Sequence, residues 1–138
     1  MRQTNRLRSF RVSRSSATNL RPTVGDNETG VSRQEAIEQM TQRLVDFYRP
    51  DRIYLFGSEA RGDSRPDSDV DFLVVVPDDA PDGLLRGGEI YSRLSGFGVA
   101  KDVIPWRRSD FERRAAHVVA SLPATVLREG RLLYDAPR

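Results

Sequence analysis

At 138 residues, with 38% apolar and 30% charged side chains, the chain has the length and composition of one globular domain with a tail or two. Cysteine is absent, which excludes a disulfide framework and thiolate zinc sites and fits a cytoplasmic protein; no apolar run approaches the ~18–20 residues a membrane span needs. The formal charge of +2 hides an asymmetry: residues 1–30 hold six arginines against Asp26 and Glu28, while the remainder carries 16 basic and 18 acidic side chains.

Residues 1–31 read as a basic, disordered N-terminal extension, because apolar residues are too sparse there for an amphipathic helix. Contact with nucleic acid or a membrane surface, an organelle transit peptide, or an over-called start site are the other readings of that segment. The body shows no RNA-binding motif, so any nucleic-acid contact is expected from the tail. Residues 32–138 are expected to form the folded domain.

Ser32-Arg33-Gln34-Glu35 is a capping box, in which a hydroxyl and a carboxylate satisfy the first free backbone N–H groups of a helix. Ala36, Ile37, Met40, Leu44 and Phe47 or Tyr48 follow at helical spacing, and Pro50 stops the helix. Arg52 to Phe56 is a short strand. A polar loop runs from Gly57 to Pro66. Val70 to Val76 is a strand whose near-continuous apolar run predicts burial on both faces.

After the loop Pro77–Gly83, a helix is expected over residues 84–95, weakened by Gly87 and Gly88 and ended by Gly96 and Gly98. Val99 to Ile104 reads as a third strand closed by Pro105. Ser109-Asp110-Phe111-Glu112 repeats the capping-box pattern and opens a helix with Phe111, Ala115, Val118, Val119 and Leu122 on one face. A short helix after Pro123, a helix-terminal Gly130 and a last strand, Arg131 to Tyr134, complete the chain. The order predicts an α+β (α/β sandwich) domain: a small mixed β-sheet with helices packed on it.

The chemistry concentrates in Gly57-Ser58, ten residues, then Asp69-Val70-Asp71. Residues i and i+2 of a strand share a face, so Asp69 and Asp71 present paired carboxylates at the start of an apolar strand. Like charges so placed repel unless a cation lies between them, and Mg²⁺ takes one or two carboxylates plus substrate phosphates. Gly57 and Ser58, just after a strand, let backbone approach a ligand and offer N–H and O–H donors to phosphate oxygens. Arg61, one turn on, either places a guanidinium on the same phosphates or stands on the surface. Asp102, in an otherwise apolar strand, either completes a metal cage or takes a proton from an attacking hydroxyl, unless it pairs with Arg107 or Arg108. Together these parts suit in-line displacement at phosphorus with two metal ions. His117, Trp106 and Tyr54 read as packing or rim residues rather than catalysts.

Gly57-Ser58-x10-Asp69-x-Asp71, with Ala60-Arg61-Gly62 and Ser68 inside it, resembles the signature of the polymerase β-like nucleotidyltransferase superfamily. It is most similar to the minimal nucleotidyltransferase (MNT) domains, and the resemblance covers about residues 33–135. It implies the polymerase β-like nucleotidyltransferase fold and transfer of AMP from ATP to a hydroxyl. It also implies two Mg²⁺ ions on Asp69 and Asp71, Ser58 on the triphosphate, and Asp102 as the third acidic position. The surroundings of Asp102 depart from the family's valine-rich strand, since Lys101 precedes it and Pro105 and Trp106 follow closely. Glu59 is given no role.

Only 36 residues follow Asp102, enough to finish the fold but not to build an acceptor domain, so the acceptor is expected from a partner or in a shallow cleft. In two-gene toxin–antitoxin modules, MNT proteins resembling this one pair with a helical HEPN ribonuclease and adenylylate one of its tyrosines. The resemblance implies that antitoxin role here. Two other readings stand beside it. One is AMP transfer to a small molecule such as an aminoglycoside, with Asp78, Asp79 and Asp82 lining an acceptor cleft. The other is a partner-binding module without activity, against which the intact Ser58, Asp69 and Asp71 speak.

Overall fold

A computed structural model describes residues 32–137. The basic extension expected over residues 1–31 lies outside the described residues. Helix α1 (Arg33–Tyr48) starts at its capping box: the Glu35 N–H donates to Ser32 Oγ, and the Ser32 N–H donates to Glu35 Oε1, both at 3.1 Å. Its apolar stripe buries Ala36, Ile37, Met40, Leu44 and Tyr48. The helix ends with Arg49 in the left-handed region (φ 49°), its N–H returned to the Val45 carbonyl at 2.9 Å, and Pro50 prevents continuation.

Four strands form one mixed sheet in the order β3-β2-β1-β4. They are β1 (Arg52–Phe56), β2 (Val70–Val76), β3 (Lys101–Arg107) and β4 (Arg131–Asp135). Strand β1 is antiparallel to β2 and β4, whereas β2 and β3 run parallel. Every residue of β2 except Asp71 is buried, as its apolar run demands of a strand covered on both faces. Phe72, Val74 and Val76 face α1 together with Ile53 and Leu55. On the other face, Leu73, Val75 and Tyr54 meet Phe111 of α5 (Arg108–His117) and Val126 of α6 (Leu122–Glu129). The Tyr54 and Phe111 rings stack with centroids 5.8 Å apart, so Tyr54 packs as expected. The architecture is the expected α+β one, and no helix among the described residues is long and apolar enough to cross a membrane.

Three short helices complete it: α2 (Ser58–Arg61), α3 (Asp82–Arg86) and α4 (Glu89–Arg93). The single helix expected over residues 84–95 is therefore two one-turn pieces, because Gly87 takes an extended conformation (φ −77°, ψ 158°) and breaks it. Strand β3 begins at Lys101 rather than Val99, and it runs through Pro105 to Arg107. Proline is tolerated there because β3 is an edge strand, where a missing N–H costs no ladder bond.

The capping box expected at Ser109 does not form. Helix α5 has already begun at Arg108, and the carboxylate that serves its first turn comes from elsewhere: the Ser109 N–H donates to Asp78 Oδ1 at 2.9 Å. Helix α5 ends at His117, so Val118 and Val119 stand exposed instead of continuing a buried stripe. Helix α6 starts before Pro123, with Ser121 as its N-cap accepting from the Ala124 N–H at 3.2 Å. Gly130 ends α6 in an ordinary extended conformation (φ −81°). Space dictates glycine there: a Cβ would lie 2.6 Å from the Val126 carbonyl oxygen and 3.0 Å from that of Leu55.

Candidate active site

The candidate residues gather where β1 ends and β2 and β3 begin. Asp71, in the second position of β2, pairs with Phe56 on one side and with Asp102 of the parallel strand on the other. The Leu73 and Val75 side chains on the α5/α6 face share its parity, so Asp71 points to that face, and its register partner Asp102 points with it. Asp69 lies two residues before Asp71, in the segment leading into β2. Asp71 is half-buried, while Asp69 and Asp102 are exposed. The sheet thus sets Asp71 and Asp102 side by side on one face, and Asp69, just before β2, is near enough for its charge to act on Asp71.

Gly57 explains how backbone and carboxylate share this space. It follows β1 with φ 77° and ψ −154°, a region that side chains with a Cβ rarely enter. A Cβ built on it would lie 2.5 Å from Asp71 Oδ2. The glycine is therefore required both by its conformation and by the carboxylate that rests against it. Ser58 opens α2 rather than capping it, since Gly57 occupies the N-cap position. The Ser58 carbonyl accepts from the N–H groups of Gly62 (3.0 Å) and Asp63 (3.1 Å), which folds the loop back toward β1. Among the described residues the Ser58 hydroxyl has no hydrogen-bond partner, which leaves it available to a ligand oxygen.

Burial pushes the Asp71 carboxyl above its ordinary value of 3.8, and the charges of Asp102 and Asp69 push it further the same way. The Arg61 guanidinium opposes them, so Arg61 stands within electrostatic reach of the site. Its own ion pair is with Asp63, at 3.4 Å on the exposed surface. The surface pairing weighed for Asp102 does not occur: Arg107 binds Asp78 O, Ala80 O and Asp82, while Arg108 binds Asp51 and Glu112.

The donor set fits a hard divalent cation. It is made of carboxylate oxygens, and their mutual repulsion is what such an ion relieves. Among the described residues no three His, Cys, Asp or Glu side chains are grouped so as to hold a metal ion by themselves. The set suits an ion that reaches part of its ligands from a bound phosphate.

Sequence reasoning missed a polar contact beside the site. The Arg33 Nε donates to Glu59 Oε1 at 2.7 Å, and its two terminal nitrogens donate to the carbonyls of Pro66 (3.2 Å) and Ser68. Partners 26 to 35 residues away leave no local spacing to read. The acidic loop weighed as an acceptor cleft lies elsewhere. Asp78 and Asp82 follow the far end of β2, and Asp71 to Val76 alone spans roughly 17 Å of extended strand. Asp78 is engaged by Ser109, and Asp82 by Arg107 and Arg86. Two surface cavities, of about 390 and 430 Å³, flank the C-terminal end of α1 and touch none of the candidate site residues. His117 is exposed at the end of α5, and Trp106 packs against the cluster around Phe111.

Residues 37–132 match the family model described as a nucleotidyltransferase domain. No curated protein matches the chain. Among solved structures, the chain is similar to one described as a toxin-antitoxin with AMP-PNP, with 21% identity and a TM-score of 0.48, covering 69% of this chain and 73% of that one. It is also similar to a candidate nucleotidyltransferase from Sulfolobus solfataricus, with 19% identity and a TM-score of 0.39, covering 82% of this chain and 93% of that one.

Proposed function

The chain belongs to the nucleotidyltransferase domain family, and on that footing we propose that it moves AMP from ATP to a tyrosine hydroxyl of a helical HEPN-type toxin in the cytoplasm, acting as its antitoxin. The observation that supports the enzymatic part is Asp71, which lies against Gly57 and in register with Asp102, with Asp69 two residues before it. Acidic groups beside a backbone turn with a spare hydroxyl suit the holding of a triphosphate and its counter-ions.

In this reading Asp69 and Asp71, with Asp102 as third ligand, would hold two Mg²⁺ ions, which when bound supply positive charge to the triphosphate and acidify the attacking hydroxyl. Gly57 lets the chain approach the phosphates, and the Ser58 hydroxyl donates to a phosphate oxygen. Arg61 leaves Asp63 and adds its guanidinium to the phosphates. The acceptor oxygen attacks the α-phosphorus, the bond to the bridging oxygen breaks, and pyrophosphate departs with that electron pair. If Asp102 does not complete the metal site, its exposed carboxylate would take the proton of the acceptor hydroxyl.

A small-molecule acceptor at the loop after β2 is disfavoured by how that loop is bonded. The acidic loop that would have favoured a cationic small molecule sits at the opposite end of β2 and is tied up by arginines and by Ser109.

The test incubates the protein with Mg²⁺, α-labelled ATP, the product of the neighbouring gene and a panel of aminoglycosides. Label on a tyrosine of the neighbouring protein is expected, falling at least about a hundredfold in Asp69→Asn. Label on a small molecule would replace the antitoxin role with a modifying one. No label anywhere, with ATP bound equally by both forms, would leave a binding module.

A further inference from the structure

We infer that Arg33 is a positioning residue that fixes the phosphate-binding turn and the first carboxylate of the site relative to one another. The inference rests on the reading of Ser58 and Asp69 given above. Arg33 occupies the first position of α1, where a positive charge stands at the unfavourable end of the helix dipole. Its placement is not explained by the stability of its own helix, and its guanidinium reaches away from it.

The guanidinium is engaged at all three nitrogens. Glu59, the residue after Ser58, takes Nε at 2.7 Å. The carbonyls of Pro66 and Ser68, the residue before Asp69, take the two terminal nitrogens. One planar group therefore links three segments distant in sequence: the start of α1, the α2 turn and the loop that delivers Asp69. Both side chains of the ion pair are largely shielded, with Arg33 23% and Glu59 15% exposed.

The loop needs such a tie. Residues 63–69 have no helix or strand, and their internal bonding is one turn, in which the Ser68 N–H donates to the Arg65 carbonyl (2.9 Å) and the Arg65 N–H to Ser68 Oγ (2.8 Å). That turn shapes the loop but does not anchor it to the sheet. Arg33 supplies donors to two loop carbonyls and places the loop against Glu59. A rigid fork suits this task, and lysine, with a single ammonium, cannot span three acceptors at these positions.

The full chain is compared with Arg33→Ala, Arg33→Lys and Glu59→Gln, and with Arg86→Ala as a remote charge control. Amide hydrogen exchange and α-labelled ATP transfer are the two readouts. Exchange at residues 58–61 and 63–69 is expected to quicken in both Arg33 variants, while the β1 and β2 amides keep their protection. The kcat/KM for ATP is expected to fall about 10–100-fold, through a higher KM and a lower kcat together, because a small displacement of reacting groups is that costly. Arg33→Lys should not rescue either readout, Glu59→Gln should be intermediate, and Arg86→Ala should match wild type.

Unchanged loop exchange in Arg33→Ala, or full recovery in Arg33→Lys, overturns the inference. If Arg33→Ala does not fold, Glu59→Gln decides it, since loosening one arm must quicken the same loop. If the wild type transfers no label, the catalytic reading of the site fails separately, and loop exchange still decides whether Arg33 is the tie.

Discussion

Gly57 and Asp71 share a volume that only one arrangement allows. The carboxylate oxygen lies where a Cβ of residue 57 would stand, and the backbone there has φ 77°. Gly57→Ala must therefore displace Asp71 and strain the turn. A loss of about 1–3 kcal/mol in unfolding free energy, read by denaturant titration, is expected together with loss of transfer activity. Asp71 itself is held at a cost. Burial and two neighbouring carboxylates raise its pKa, so the native state binds that proton more tightly than the unfolded chain does. As pH rises from the ordinary value of 3.8 through the raised one, the charge appears in the folded protein and lowers its stability. Asp71→Asn is expected to raise the melting temperature at pH 7 in a chelator while abolishing transfer. Mg²⁺ with ATP should raise the melting temperature of the wild type and not of this variant. At this scale the sequence was informative where chemistry is local. Gly57, Ser58, Asp69 and Asp71 lie within fifteen residues of each other, although Asp69 stands just before β2 rather than in it, so strand alternation does not fix its face. Arg33 was illegible because its partners are distant and its type is common in this chain.

Elements depart from their local signals where tertiary contacts supply what the sequence offers nearby. Helix α5 illustrates this: Ser109 and Glu112 spell a capping box, but Asp78, thirty-one residues away, reaches the Ser109 N–H first. That hydrogen bond, reinforced by the charges of Arg107 and Arg108, holds the Asp78 carboxyl below its ordinary value of 3.8. A depressed carboxyl stabilises the fold above that value, and the contribution is lost as pH falls through the folded pKa. Asp78→Asn should therefore lower the melting temperature at pH 6 and flatten its fall below pH 4. Gly130 carries a different lesson. It ends a helix as its position suggested, but the reason for glycine is space: the backbone is extended, and closeness to Leu55 and Val126 excludes a side chain. Gly130→Ala is expected to cost about 1–3 kcal/mol in chemical denaturation, since two backbone carbonyls must give way. The α1 capping box and the buried run of β2 were readable because each is satisfied within its own segment.

Across the whole molecule, one end of the sheet is built for charge and the other for structure. At the start of β2 and β3, acidic groups stand together with their repulsion unrelieved by any ion pair with Arg107 or Arg108. At the far end, Asp78 and Asp82 are neutralised by arginines and a backbone N–H. This polarity favours a nucleotide and its cations at the first end, and it argues against reading every acidic loop as a binding site. Fold class followed from the order of apolar runs, because a strand covered on both faces and flanking amphipathic helices leave few arrangements. The strand order and the mixed pairing were not readable, since they depend on crossovers that no local pattern encodes.

The central claim is that this chain transfers a nucleotidyl rather than a phosphoryl group. The most direct measurement runs parallel reactions with α-labelled and γ-labelled ATP in Mg²⁺ with the neighbouring gene product, comparing wild type with Asp69→Asn and Asp71→Asn. The account predicts α-label on the acceptor, γ-label released as pyrophosphate in equal amount, and both lost in the two variants. Label from the γ position on the acceptor, or α-label transfer that survives both substitutions, would contradict it.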